Sequence, residues 1–258
     1  MTGSLDLPLW VVLLASLGLL LAANEAGRAL AHRLSGPRIA YVATFHDAVV
    51  GLLSLITVFT FAMSLERYDA RRQAMIDEAN AIGTAALRAR LLPPPHDRES
   101  LALLHDYALT RVEIGGIVPT AQQLGAAIEK SNAIQERLWQ HAKTVAAKDN
   151  GFVPTGVYIQ ALNQLIDLQL SRVANYQNRV PGIVMIVLYA IAIVAAGVSG
   201  YTVAMQAPRA RVPAYALSAI TAVLLTLIQD IDRPGEGYVR VSQQPMVETA
   251  AGIAAYRD

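Results

Sequence analysis

The sequence contains no cysteine, which excludes disulfides, thiolate nucleophiles and cysteine-ligated zinc or iron-sulfur sites. Aromatic residues make up 6% of the chain, too few for base-stacking platforms, and a net charge of +1 gives no basic footprint, so nucleic acid is not an expected partner. Charged residues are also scarce, at 16% against roughly 25% in soluble proteins. Clustered glycines occur only at Gly115-Gly116 and Gly235-Glu236-Gly237, without the strand before or lysine after that a phosphate loop needs. The five histidines (His32, His46, His96, His105 and His141) have no metal-ligand spacing along the chain. No metal, cofactor or catalytic residue is therefore expected, and the chain reads as no enzyme.

What is abundant is apolar sequence. Hydrophobic residues reach 54% and mean hydropathy is +0.37, the composition of a membrane protein. Four runs lack any charged side chain: Leu7 to Ala23, Ala48 to Leu65, Gly182 to Met205 and Val212 to Ile228. Each is long enough, or nearly so, to cross a hydrocarbon core of about 30 Å at about 1.5 Å per residue. The first has no basic segment before it, so it reads as a retained span and not as a cleaved leader.

The spans pair by spacing. Arg28, Arg33 and Arg38 lie in the connection between the first two, and Arg209 and Arg211 in that between the last two. The expected fold class is all-α: four transmembrane helices in two hairpins, with a helical extramembrane domain between spans 2 and 3. The expected boundaries are 1–65 and 182–228 for the hairpins, 66–181 for the polar domain and 229–258 for a C-terminal tail. Basic residues are only slightly richer on the side of the middle region, which places that region and both termini in the cytoplasm.

From Leu52 to Ile82 there is neither glycine nor proline, so span 2 should run on as one helix of roughly 46 Å. Beyond the membrane, Tyr68, Met75, Ala79, Ile82 and Ala86 recur at helical steps and predict a stripe packed against other helices. The neighbouring carboxylates Asp77 and Glu78 are expected on a solvated face. Thr120 is expected to start a later helix, and Asp97 to cap the one before it.

No carboxylate or lysine lies inside any span, which argues against a proton-coupled transporter and an intramembrane enzyme. A passive pore needs none, and Leu52, Leu55, Phe59 and Met63 form one apolar face of span 2. That face is either helix packing or a hydrophobic gate. Hydroxyls within the spans are expected to bond the carbonyl one turn back in their own helix. After span 4, Asp230, Asp232, Arg233 and Glu236 gather at a turn set by Pro234 and Gly235. Two readings stand for it: a helix stop with an interfacial ion pair, or an acidic element that docks on a neighbouring segment or binds an ion.

Three segments carry a family resemblance. RYDARRQ and EANAIGTA follow span 2, with Arg67-Tyr68, Ala70-Arg71 and Asn80; Arg172 and Val180-Pro181 precede span 3; DRPGEGYVRVSQQP follows span 4. The combination resembles the bacterial bestrophin-like family, a distant branch of the bestrophin ion channels. The resemblance implies a homo-oligomer, pentameric in bestrophins, in the bacterial inner membrane. It implies passive conduction of small inorganic ions, mostly anions, through a pore lined by span 2. It puts Leu55 and Phe59 in the neck, with Leu52 and Met63 of the same helix face beside them, and Arg67, Arg71 and Arg72 would shape the potential of a cytoplasmic vestibule. The alternative is a non-conducting sensor or scaffold, anchored by its spans, whose helical domain binds a partner. Tyr68 stands where true bestrophins carry a double tryptophan, and the turn after span 4 is poorer in carboxylates than their calcium-binding segment.

Overall fold

The computed structural model describes residues 7–33, 39–117, 120–149, 151–207, 210–235 and 237–256. Every element among them is helical. In chain order these are α1 (Leu9–Arg33), α2 (Ile39–Ala89), α3 (His96–Gly115), α4 (Ala121–Ala146), a π-helical turn (Phe152–Gly156), α5 (Val157–Gln177), α6 (Gly182–Gln206), α7 (Val212–Asp232) and α8 (Gln244–Ala254). Four helical stretches are long and apolar enough to cross a membrane: Leu9–Arg33, Tyr41–Ala89, Phe152–Gln206 and Val212–Asp232.

The chain divides into two compact units. One comprises Met1–Glu66 and Arg179–Arg233, the other Arg67–Asn178 and Pro234–Asp258. In the first, α1 packs on α6 and α7 around a core of Leu20, Leu53, Leu188, Ala192, Ala195, Ala196, Ala222, Leu225 and Ile228. The α1–α6 crossing is very close. A β-carbon built on Gly27 would fall 1.9 Å from the Gly197 carbonyl oxygen, and one on Gly200 would fall 2.0 Å from that of Asn24. Small residues at such a crossing let two backbones meet where lipid offers no hydrophobic drive to association. Polar bonds fix the register: Asn24 Nδ2 donates to Ala214 O and Ser218 Oγ, each at 3.2 Å. Tyr189 Oη on α6 lies 2.8 Å from Ser16 Oγ on α1 and accepts from Gln229 Nε2 on α7 at 2.7 Å. Most of the remaining span hydroxyls do bond their own helix one turn back, as with Ser54, Thr57, Thr60, Ser64, Thr221 and Thr226.

In the second unit the apolar stripe of α2 enters the core. Met75, Ala79, Ile82 and Ala86 are buried, and the last three belong to or adjoin a cluster with Leu103, Leu104 and Tyr107 of α3, Leu138 and Ala142 of α4, and Tyr158, Leu162 and Leu165 of α5. Thr120 caps α4 through a reciprocal pair: its Oγ1 accepts from Gln123 N, and Gln123 Oε1 accepts from Thr120 N. Such a box satisfies two otherwise unpaired donors.

Several boundaries differ from expectation. Helix α1 runs ten residues past Ala23, and α2 begins before Ala48, because NEAGRALAHR contains no proline, its single glycine is held at the α1–α6 crossing, and helix geometry tolerates charges beyond the apolar core. Asp97 lies inside α3, whose N-cap is Pro95, with no side-chain cap. The segment expected to be a tail carries α8, which places Met246, Ala250 and Ile253 in the second unit's core. Their spacing of four and three residues, after Pro245 in the first turn, was the signal for it. Arg38 and Arg209 lie outside the described residues.

Candidate functional site

Helix α2 is one element of 51 residues, about 76 Å at the α-helical rise. In its apolar part, Leu53, Thr60 and Ser64 are buried, while Leu52, Leu55 and Phe59 are 47%, 52% and 60% exposed and Met63 is half-buried. The four expected neck residues therefore lie together on the face that the single chain leaves uncovered, next to Val58.

The three expected vestibule arginines do not share one environment. Arg72 is exposed, Arg71 is buried, and Arg67 is half-buried with its guanidinium donating to Asn178 Oδ1. In the last turn of α7, Asp230 is buried. Asp232 Oδ1 accepts from Val180 N at 2.8 Å, which holds the backbone that leads into α6. Arg233 donates to Leu7 O at 2.6 Å. Gly235 has φ 83°, a left-handed conformation that needs glycine. Glu236 lies outside the described residues.

The strongest polar assembly was not foreseen. Glu78 is fully buried, not on a solvated face. Its Oε1 lies 2.9 Å from Arg111 Nε and accepts from Tyr107 Oη at 2.7 Å, and its Oε2 accepts from Arg172 at 2.6 Å. Arg172 also donates to Gln243 Oε1 at 2.9 Å. Gln169 extends the network, its Oε1 accepting from Gln135 at 2.8 Å and its Nε2 donating to Asn132. A buried carboxylate survives only with charge-assisted partners, and here α3 supplies Tyr107 and Arg111 and α5 supplies Arg172. The signal was available: Glu78 falls three residues after Met75 and four before Ile82, on the buried stripe, whereas Asp77 turns away. Burial pushes the Tyr107 phenol well above its usual value, and the adjoining Glu78 carboxylate adds to this. Burial lowers the Arg172 guanidinium, against the opposing pull of Glu78. Both directions follow from the cost of a charged form in a dry interior.

The histidines lack ligand spacing along the chain, but the fold joins two of them. His96 Nδ1 lies 3.1 Å from His141 Nδ1, with Glu99 beside both.

A family model for the bestrophin-like domain matches residues 5–246. The chain belongs to the bestrophin-like family. The fold of this bestrophin-like chain is similar to that of a membrane protein variant, at TM-score 0.70 and 12% identity over 96% of this chain and 99% of that one. It is also similar to a bacterial bestrophin homologue from Klebsiella pneumoniae, at TM-score 0.64 and 14% identity over 94% of each chain. A variant of that homologue gives TM-score 0.68 at 12% identity, over 95% and 98% of the two chains. No curated protein sequence matches. The bestrophin-like chain is thus a helical membrane protein that shares the fold of these bacterial homologues.

Proposed function

We propose that the bestrophin-like chain is one subunit of a homo-oligomeric ion channel of the bacterial inner membrane, passively conducting small inorganic ions. The observation that carries this reading is the uncovered face of α2. Leu52, Leu55 and Phe59 stand exposed on a helix whose opposite side is packed. A ring of such helices would turn these side chains inward as an apolar constriction, which can close by dewetting. In this arrangement α1 and α2 form one hairpin, α6 and α7 the other, and the helical unit surrounds a cytoplasmic vestibule with both termini on its side. Five subunits is the number the family resemblance implies.

The favoured ion follows from what continues the neck face. At 100° per residue, Glu66, Ala70 and Asp77 return to within about 40° of Leu52 on α2. The arginines that would attract anions fit less well, since Arg71 is buried and Arg67 bonds Asn178. An acidic lining concentrates cations by its local potential, so the channel is proposed to prefer them over anions. Native mass of the detergent-solubilised protein tests the assembly. A ring at several multiples of 27.7 kDa is expected; a monomer or dimer would instead favour a membrane-anchored scaffold. The sign of the reversal potential in a KCl gradient tests the ion preference.

A further inference from the structure

We propose that His96, Glu99 and His141 form a zinc site that ties the first turn of α3 to the last two turns of α4. His96 opens α3, and Glu99 follows at the i+3 position on the same helix face. His141 comes from α4, five residues before its end. Their ligand atoms are mutually close: His96 Nδ1 to His141 Nδ1 is 3.1 Å, His141 Nδ1 to Glu99 Oε2 is 3.3 Å, and His96 Nδ1 to Glu99 Oε2 is 4.0 Å. Two ligands at about 2.05 Å from a tetrahedral ion lie about 3.3 Å apart. Two of the three separations already fit this shell, and the third needs only a small movement of Glu99, whose side chain is half exposed.

The chemistry of the set points to a borderline-soft divalent ion. Two imidazole nitrogens and one carboxylate suit zinc, whereas calcium and magnesium require shells of oxygen. Two Nδ1 atoms at 3.1 Å cannot both carry a proton toward each other, so one nitrogen presents a lone pair to its partner's N–H. A metal ion replaces that shared proton and satisfies both lone pairs and the carboxylate. Opposing the ion are Arg137, one turn earlier on α4, and the positive N-terminal end of α3; Glu99 and Asp97 offset them within that first turn. Three protein ligands leave a fourth position for water.

The test uses the tag-free full chain in detergent, stripped with a chelator and titrated with zinc chloride against a chromophoric competitor. One zinc per chain is expected. His96→Ala or His141→Ala should weaken binding by roughly 10- to 100-fold or more, Glu99→Gln should weaken it less, and His105→Ala should leave it unchanged. Zinc-edge X-ray absorption on the wild-type protein gives a readout that does not depend on the variants folding. It should show two imidazole ligands in a four-coordinate shell. Absence of stoichiometric zinc, a shell with fewer than two imidazoles, or binding equal in wild type and His141→Ala would overturn the assignment.

Discussion

Removing Glu78 should unfold the helical unit more effectively than removing any apolar side chain of similar size. In Glu78→Ala, the guanidinium groups of Arg111 and Arg172 lose their carboxylate while remaining 3% and 12% exposed. Breaking a buried pair by deleting one partner costs about 3–5 kcal/mol. Here two cations are stranded, so the upper end applies. Tyr107 keeps Gln169 as a partner, which spares a further loss. For a unit of this size the cost corresponds to a fall in melting temperature of roughly 10–20 °C. Glu78→Gln retains shape and one acceptor oxygen and should fall between that variant and wild type. The decisive variant replaces the whole charge cluster. Glu78→Leu with Arg111→Met and Arg172→Met removes all three charges, and should recover most of the stability that Glu78→Ala loses, because buried ion clusters are often no better than apolar residues of equal volume. Thermal unfolding followed by circular dichroism in detergent measures each. A melting temperature for Glu78→Ala within about 2 °C of wild type, a fraction of the shift expected from a core charge, would refute the reasoning and return Glu78 to a solvated face.

Two further outcomes concern packing and pH. Gly200→Ala places a methyl group 2.0 Å from the Asn24 carbonyl oxygen; with backbone on both sides it should cost about 3 kcal/mol, the upper end of overpacking penalties, and Gly27→Ala should behave alike. A melting curve unchanged in either would show that α1 and α6 do not meet so closely. Tyr107 is raised well above its usual value by burial, and Tyr158 is pushed up to about 12 by the same cause. Unfolded tyrosine ionises near pH 10, so above that pH the unfolded chain binds fewer protons than the folded one and stability falls. Up to about 2.7 kcal/mol should be lost per pH unit between 10 and 12. Chemical denaturation at pH 9, 10 and 11 checks this. Tyr107→Phe combined with Tyr158→Phe should flatten the decline.

The parts of the fold written in the sequence are those set by local periodicity. Uncharged runs marked the four apolar helices, the unbroken stretch from Leu52 to Ile82 marked the continuity of α2 beyond its apolar part but not its full length, since the helix runs through Gly51 and Gly83 from Ile39 to Ala89, and Thr120 marked the start of α4. What escaped depends on contacts distant in the chain. Glu78 and Asp77 are chemically alike, and only the surrounding stripe of Met75 and Ile82 tells which one is buried. The partners Arg111 and Arg172 lie far along the chain, and no spacing rule links them to Glu78. His96 and His141 are 45 residues apart, and become neighbours because α3 and α4 pack side by side. Arg71 was expected to face a vestibule, yet it shares the buried side of α2 with Ser64 and Glu78. Of the proposed neck, the apolar face was legible, whereas its enclosure by neighbouring subunits depends on surfaces that one chain does not contain.

Conductance is the most direct test of the central claim. Purified protein in planar bilayers should give discrete, voltage-driven currents without any chemical energy source. Phe59→Ala, which removes the largest side chain of the proposed neck, should raise the unitary conductance or the open probability. Current in neither the wild type nor the Phe59→Ala variant, from preparations verified as folded and oligomeric, would contradict the account.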